Sequence, residues 1–319
     1  MALTYDQIDA HVRSKYIPVL VDNVFTGNPV LTKLMSKNKI MFDSGKSIRV
    51  PILYGKKKAG SYSGMDRFDI TPVQTRTVAE WNWKAVYANV TIVGDDVDMV
   101  EGDEKIIGLV ENEIKEAELT LKDFISDMLY KDGTGNNSKD FDGLDNAIGL
   151  SSYGGISPAD VGDTAYSGAY TGGTWSSCVD STGGACTLSR IKGLIGNCTY
   201  GTEVPDLIIT TQTLYDTLWA QVQPQQRYLN PNTPLAKVGW SGIQIDGTQI
   251  VVDRHCPSGY MYGLNTDYFK FVIHKKKNFK WTGNKELLDA DAYVRQLLLK
   301  ANLLTTARRY HFKASSLTA

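Results

Sequence analysis

The stretch from Val73 to Val93 most constrains how this chain can fold, because side chains alternate along it with no turn signal. One face is rich in threonine and aromatic residues, including Trp81 and Trp83. The other face is polar at first and becomes apolar from Val86 onward. At about 3.3 Å per residue the stretch would reach about 70 Å, several times an ordinary strand. The pattern predicts a long strand, bent or bulged, in a hairpin that projects from the body.

The strand that precedes this stretch is predicted around Ile48, Val50 and Ile52, and the polar, glycine-rich segment 55–64 connects the two. An isolated two-stranded ribbon is at best marginally stable in water. We therefore expect the aromatic face of the hairpin to need a partner that the body of the same chain does not supply. The alternative is a pair of ordinary hairpins in a β-sandwich.

A long helix is predicted next, because apolar residues recur at intervals of three and four from Ile107 to Met128. Asp103 and Glu104 suit the positive end of a helix, and Gly133 marks the stop. A helix over residues 103–131 would be about 43 Å long. Three heptads also allow a coiled coil, but the stripe is wide, which favours a helix laid across a sheet.

The first forty residues predict two short amphipathic helices. Thr4 with Gln7 forms a capping box, and Asn28 with Pro29 forms the start of the second helix. This stretch is typical of an arm that lies on another surface.

Between Ser151 and Thr187 there is no Leu, Phe, Met, Lys, Arg or Glu. Such a segment lacks the side chains for a core of its own, and it predicts a long surface loop or insertion. Regular structure is then predicted as follows: helices at 188–198 and 213–220, strands at 207–209, 243–245, 249–252, 260–264 and 269–273, and one or two strands over 293–312.

Residues for catalysis or metal binding do not converge in the sequence. The four cysteines lack zinc spacing and the four histidines stand alone. Gly60–Gly64 has Tyr62 where a nucleophile elbow needs serine, and the acids from Asp95 to Asp98 lack calcium-loop spacing. We predict no catalytic residue, no cofactor and no bound metal.

Composition and charge exclude several classes of protein. The chain has 34 Lys and Arg against 35 Asp and Glu, a net charge of −1, which argues against a surface devoted wholly to nucleic acid. Hydrophobic residues at 42% exclude a disordered tail or a collagen-like repeat. No apolar run is long enough for a bilayer span, so no membrane contact is expected. Asp6 and Asp9 argue against a secretory signal, so the cysteines are interpreted as cytosolic thiols.

Two lysine triplets are the remaining candidate contacts: Lys56, Lys57 and Lys58, and Lys275, Lys276 and Lys277. Solvated surface or a protected strand edge is the simple explanation. The alternative is contact with phosphate or with an acidic neighbouring subunit. With Trp81 and Trp83, these residues form the candidate set for inter-subunit or phosphate contacts.

The order of elements resembles the major capsid (coat) proteins of tailed bacteriophages, the Hong Kong 97-type fold that bacterial encapsulin shells also use. The resemblance rests on the arm, the hairpin, the long helix, the turn Asp132–Gly135 leading to Asp142-Gly143-Leu144, and the later strands. It implies an α+β fold with these parts: an N-terminal arm (1–44), an extended loop (45–93), a peripheral domain (94–142 and 285–319) with a spine helix (103–131), and an axial domain (143–284) with a polar surface loop (151–187).

This resemblance implies a structural protein rather than an enzyme. Pentamers and hexamers of the chain would form an icosahedral phage head that encloses double-stranded DNA, contacted non-specifically. A scaffolding protein, a portal and decoration proteins would be partners, and assembly would take place in the cytoplasm of a host bacterium. Two alternatives stay open: an encapsulin-like compartment shell, or a soluble monomeric enzyme or binding module whose hairpin folds back on its body.

Overall fold

The computed structural model describes residues 30, 31, 33, 34, 39–42, 45–94, 103–162, 173–226, 243–283, 285–287 and 290–319, with side chains of 103–112 and 224–226 excepted. The predicted capping box at Thr4 and the acidic run from Asp95 lie outside these residues. Of the helix expected after Pro29, Val30, Leu31 and Leu34 are helical and fully buried.

The helices and strands follow in this order: β1 Lys39–Phe42, β2 Ser47–Leu53, β3 Arg76–Asn82, β4 Lys84–Val93, α1 Asp103–Met128, α2 Leu144–Ala147, β5 Cys178–Asp180, β6 Gly184–Ala185, α3 Leu188–Cys198, β7 Leu207–Thr210, α4 Gln212–Gln226, β8 Gln244–Ile245, β9 Thr248–Val252, β10 Met261–Leu264, β11 Phe269–His274, β12 Lys280–Trp281, β13 Lys285–Glu286, β14 Ala292–Thr305, β15 Phe312–Ala314 and β16 Leu317–Thr318.

The first sheet has six strands organised around β14. One edge of β14 pairs antiparallel with β4 over ten residues, and the other edge pairs in turn with β11, β12 and β13. The buried stripe of α1, with Ile114 and Leu121, shares one hydrophobic core with Leu297 and Leu299 of β14. The helix is therefore laid across a sheet, as the width of its apolar stripe predicts.

The second sheet has six strands in the order β5-β15-β10-β7-β9-β8. A separate core forms between this sheet and the helices α3 and α4, with Leu194 and Leu218 packed among Ile208 and Ile250. Tyr130, just beyond α1, connects the two halves: its hydroxyl donates to Asp253 Oδ2 at 2.6 Å, at the end of β9.

The stretch from Val73 to Val93, predicted as one long bent or bulged strand of a projecting hairpin, is divided between two sheets. The strand is interrupted at Trp83: β3 pairs with β2 in a two-stranded hairpin, and β4 joins the first sheet. Burial changes phase at the same place, from odd positions such as Ala79 to even positions such as Val86. Asn302, directly after the last β14 residue that pairs with β4, donates from Nδ2 to the carbonyl of Asn82 at 3.0 Å. That side chain takes the place of the next ladder bond.

The prediction of a surface loop over residues 151–187 is wrong in part, because several residues of both described ends are buried although others are exposed. Tyr153, Ile156 and Trp175 are buried in the first core, and Cys178 in the second. The buried Arg308 makes this possible, because its guanidinium donates to four carbonyl oxygens of residues 146, 147, 151 and 175 at 2.7–3.3 Å. A backbone with few large apolar side chains is thus buried without unpaired carbonyl groups.

Sheet membership also departs from the expected boundaries. β11 and β12 lie in the first sheet, although residues 143–284 were expected to form the axial domain. β15 lies in the second sheet, although 285–319 were expected in the peripheral domain. β4 belongs to the first sheet rather than to the extended loop. β4, β11 and β12 are placed by long-range pairing with β14, and β15 by its pairing with β10 and β5. Composition reveals neither arrangement.

Candidate subunit interface

The segment 54–75, here called the hairpin loop, is the most exposed part of the described chain. Every residue from 56 to 74 is exposed, among them several large apolar side chains. Met65 is 100% exposed, Ile70 90% and Phe68 66%. An exposed cluster of this kind marks an interaction surface, because isolated exposed apolar residues are ordinary whereas a contiguous group is not.

The hairpin loop nevertheless has internal order. The rings of Tyr62 and Phe68 meet edge to face with centroids 5.0 Å apart. Between them the Ser63 amide donates to Asp66 Oδ2 at 2.9 Å. Lys58 forms an ion pair with Asp69, and the pKa of that carboxyl lies below its usual range because Lys58 and then Thr71 donate hydrogen bonds to it. The loop thus has local order without forming strands, through contacts among its own side chains.

The two lysine triplets have different surroundings. Lys56, Lys57 and Lys58 are exposed in the hairpin loop, where the Asp69 partner offsets one of the three charges. Lys275–Lys277 form one 3-10 turn directly after β11, and all three residues are exposed. The Lys276 amide donates to His274 Nδ1 at 3.2 Å, which fixes the start of that turn. The structure does not bring the two triplets into one described site.

The two tryptophans pack within their own chain. Trp81 is buried and meets the ring of Tyr153 edge to face at 5.4 Å. This burial removes the reason for expecting Trp81 to need another subunit. Trp83 is half-buried at the root of the hairpin, and its Nε1 donates to the carbonyl of Gly45 at 3.0 Å. His274 lies edge-on to Trp83 at 5.2 Å, so Trp83 supports the root.

A groove of about 890 Å³ lies between β4 and α1. Its floor is Ala85–Asn89, five consecutive residues, and its wall includes Phe124 and Leu121. Glu113 and Glu116 stand at the rim on the helix side. When consecutive residues of a strand line one groove, the strand presents its edge to it, because the side chains of one sheet face are spaced two apart. The turn after α1, at residues 136–140, closes one end.

The cysteine side chains lie inside the protein rather than at its surface. All four cysteines are free and buried. Burial raises the pKa of the Cys186 thiol to about 11 and that of Cys256 to about 12, so neither offers a thiolate near neutral pH. No group of His, Cys, Asp and Glu in the described part of the chain could hold a metal ion. Within the same part, no helix is long and apolar enough to cross a membrane.

Sequence reasoning missed the groove at β4, the role of Arg308 and the contact between Gly154 and Trp81. One sequence pattern pointed to the groove: β4 alternates polar and apolar residues, but it has no proline and its one lysine, Lys84, is at its first position. No sequence pattern pointed to Arg308 or Gly154, since each contacts residues far away in the chain.

No protein-family model and no curated protein matches this sequence. Solved shell structures do match the fold. A capsid chain of cyanophage A-1(L) is 17% identical, with a TM-score of 0.65 over 91% of this chain and 93% of that chain. The capsid chain of a native GTA particle is 8% identical, with a TM-score of 0.58 over 90% and 91%. The SrpI encapsulin of Synechococcus elongatus PCC 7942, solved as a holo complex, is 11% identical, with a TM-score of 0.52 over 92% and 89%.

These likenesses span nearly the whole chain, not one lobe of it. The chain therefore has the α+β Hong Kong 97-type fold of phage capsid and encapsulin shell subunits, and the fold expected from the order of its elements is confirmed.

Proposed function

We propose that this chain is a major capsid protein that self-assembles as pentamers and hexamers into the icosahedral head of a tailed phage. The observation that carries the proposal is the fold agreement with the cyanophage capsid chain over 91% of this chain and 93% of that one. The agreement with the encapsulin is lower, at a TM-score of 0.52. We therefore place the encapsulin-like shell second and the soluble monomeric enzyme third.

The exposed hairpin loop supports self-assembly on physical grounds. Removing a large apolar side chain from water contributes about 1.5–3 kcal/mol. Met65, Phe68 and Ile70 gain none of this in the single chain. Closed assemblies of identical subunits bury such surfaces in repeated contacts, and many copies add up weak contacts into a stable shell.

We assign the parts of the shell subunit as follows. Residues 1–38 form the arm, since β1 at 39–42 pairs within the first sheet, and the β2–β3 hairpin with its loop forms the extended loop. The first sheet with α1 forms the peripheral domain, and the second sheet with α3 and α4 forms the axial domain around which pentamers and hexamers close. A scaffolding protein, a portal and decoration proteins are the expected partners, and assembly precedes release of the virion from the host bacterium.

Double-stranded DNA is the proposed content of the head, contacted non-specifically. Lys275–Lys277 are one candidate for phosphate contact, because all three are exposed together in one turn. Each lysine that neutralises a phosphate changes the slope of log affinity against log salt by about one. Replacing Lys275, Lys276 and Lys277 together by Glu should therefore weaken duplex DNA binding and flatten its salt dependence, whereas the exposed Lys192→Glu should not.

Particle formation tests the proposal. The chain is expressed alone and together with its scaffolding protein, and each preparation is examined by negative-stain electron microscopy. We expect closed, uniform shells with five- and six-fold clusters. Monomers under both conditions would overturn the proposal and favour the monomeric alternative. Shells that copurify with a tethered enzyme cargo and no DNA would favour the encapsulin-like alternative.

A further inference from the structure

Two of the free cysteines, Cys178 and Cys198, meet at one backbone carbonyl group in the core of the second sheet. The carbonyl oxygen of His311 accepts a hydrogen bond from the Cys178 amide at 3.1 Å. The same oxygen accepts a hydrogen bond from Cys198 Sγ at 3.3 Å. The Cys198 thiol therefore lies beside the backbone of Cys178, although the two residues are 20 positions apart in the chain.

The side chain of Cys178 faces α3, the helix that ends at Cys198. Asp180 of the same strand accepts a hydrogen bond from Arg190 Nε of α3 at 2.7 Å. Since side chains two residues apart lie on one face of a strand, Cys178 faces the helix as well. A hydrogen bond joins the thiol groups of Cys178 and Cys198. The two sulfur atoms are therefore neighbours in the folded chain.

The other two cysteines have different surroundings. Cys186 lies near Arg190, and Cys256 lies near Asp253. Cys256 belongs to the first core, whereas the other three cysteines belong to the second. Cys186 and Cys256 are thus controls that the chain itself supplies, because they are equally buried thiols outside the adjacent pair.

A bond between Cys178 and Cys198 would fasten a helix to a sheet. It would close a loop that contains β6 and the whole of α3. A disulfide stabilises a fold by restricting the unfolded chain, and the effect increases with the length of the closed loop. The bond would therefore resist separation of α3 from the second sheet.

A phage head passes between two redox environments. Small thiols keep protein thiols reduced in the cytosol, whereas disulfides form and persist outside the cell. A pair of adjacent thiols can remain open in the first environment and become linked in the second.

We propose that Cys178 and Cys198 form a disulfide bond after the subunit leaves the reducing cytoplasm, and that this bond fastens α3 to the second sheet. The timing rests on the phage head proposed above, whereas the pairing rests on the geometry of the single chain.

The reaction is thiol–disulfide exchange, with a small-molecule disulfide as the oxidant. The Cys198 thiolate attacks one sulfur of the oxidant, which releases one small thiol and leaves a mixed disulfide. The Cys178 thiolate then attacks Cys198 Sγ and releases the second small thiol. Two protons and two electrons thus pass from the protein to the oxidant, which ends as two thiols.

Burial controls the rate of this reaction. It raises the pKa of the Cys198 thiol well above the ordinary value, so little thiolate is present at neutral pH. Local opening at the end of α3 must also admit the oxidant. Linkage should therefore be slow at neutral pH and faster at higher pH.

Thiol counting tests the pairing. The full chain is incubated with oxidised glutathione, unfolded in urea with excess N-ethylmaleimide and analysed by mass spectrometry. Free thiols should fall from four to two per chain. In Cys186→Ala, a tryptic peptide that contains Cys178 should be linked to one that contains Cys198, since trypsin cleaves between them after Arg190. Cys198→Ala should keep all its remaining thiols. Loss of two thiols in that variant, or four free thiols in the oxidised wild type, would overturn the proposal.

Urea unfolding tests the stabilisation. Oxidation should raise the urea midpoint of the wild-type chain by about 1 M, and dithiothreitol should reverse the shift. Cys186→Ala should show the same shift, and Cys198→Ala should show none. A linked chain whose midpoint does not move would contradict the fastening of α3.

Particles separate the pairing from the proposed function. Subunits trapped with N-ethylmaleimide inside cells should have four free thiols, and released particles should have two. Normal particles that keep four free thiols after oxidation would overturn the disulfide and leave the capsid function intact. A chain that links as expected but forms no particles would overturn the capsid function and support the pairing.

Discussion

The hairpin loop and the segment from Ser151 to Cys178 differ in burial, and composition alone would predict the opposite difference. The hairpin loop carries large apolar side chains and is exposed from residue 56 to 74. The other segment is built mostly of Gly, Ser, Thr, Ala and Tyr, yet its described ends lie in the two cores. The difference shows that burial depends on what satisfies the backbone as much as on how many apolar side chains a segment has.

Arg308 supplies the hydrogen bonds to the buried carbonyl groups, and its replacement should lower the free energy of unfolding more than any other change. Arg308→Met keeps much of the side-chain volume but leaves four buried carbonyl oxygens without their donor. Each buried acceptor left without a hydrogen bond costs about 1–3 kcal/mol, so the total loss should exceed that of the other variants. Urea unfolding of the subunit should show this loss in the free energy of unfolding, with Arg309→Met as the control. Equal urea midpoints for the two variants would contradict the role of Arg308 in the burial of this segment.

Gly154 should come next, because it lies where the polar segment meets the hairpin. Its φ is +59°, and an added Cβ would lie 2.8 Å from a ring carbon of Trp81. Gly154→Ala should lower the free energy of unfolding by about 2–3 kcal/mol, from backbone strain plus overpacking. Gly155→Ala shares the positive φ but meets nothing within 4 Å, so it should cost only about 1 kcal/mol. Similar losses of unfolding free energy in the two variants would show that the ring of Trp81 moves to accommodate the new methyl group.

The buried side chain of His311 should make the stability of the protein depend on pH. Burial, and then the nearby Arg308, lower its pKa to about 3, below the ordinary 6.5 of the unfolded chain. The unfolded state therefore takes up the proton first, and stability is present above about pH 6.5 and falls as the pH drops. Between pH 6.5 and 5 the loss should be about 2 kcal/mol in urea unfolding, and it should be absent in His311→Gln. An unchanged slope in that variant would assign the pH dependence to other groups.

Ile70 should have the smallest effect on the single subunit. At 90% exposure it contributes little to folding, so Ile70→Ser should change the free energy of unfolding by less than about 0.5 kcal/mol. The same change should reduce particle yield in sedimentation, because the residue acts between copies. Leu119→Ser serves as the control, because Leu119 is exposed on α1 and lies outside the hairpin loop. A large loss of subunit stability would show that the loop is buried in solution.

The elements that the sequence predicts well are those fixed by local periodicity. The helix α3 spans 188–198 as predicted, and α1 ends three residues before the predicted Lys131. A bend or bulge was expected from the length of the stretch, but its position at Trp83 was not predictable, because it depends on Asn302, 220 positions from its partner Asn82. Trp81 was expected to need an outside partner, but Tyr153 covers it from another part of the chain. Among the candidate contacts, the lysine triplets are exposed as expected, and the groove at β4 required the pairing of β14 to be seen.

The root of the hairpin has a mechanical consequence. Trp83, bonded to the Gly45 carbonyl and flanked by His274, joins a stiff two-stranded ribbon to a stiff six-stranded sheet. The ribbon therefore acts as a lever with a short pivot. With an arm of about 23 Å, a rotation of ten degrees at the root moves its far end by about 4 Å. Small changes in side-chain packing at one tryptophan are thus converted into displacements as large as the spacing between neighbouring strands.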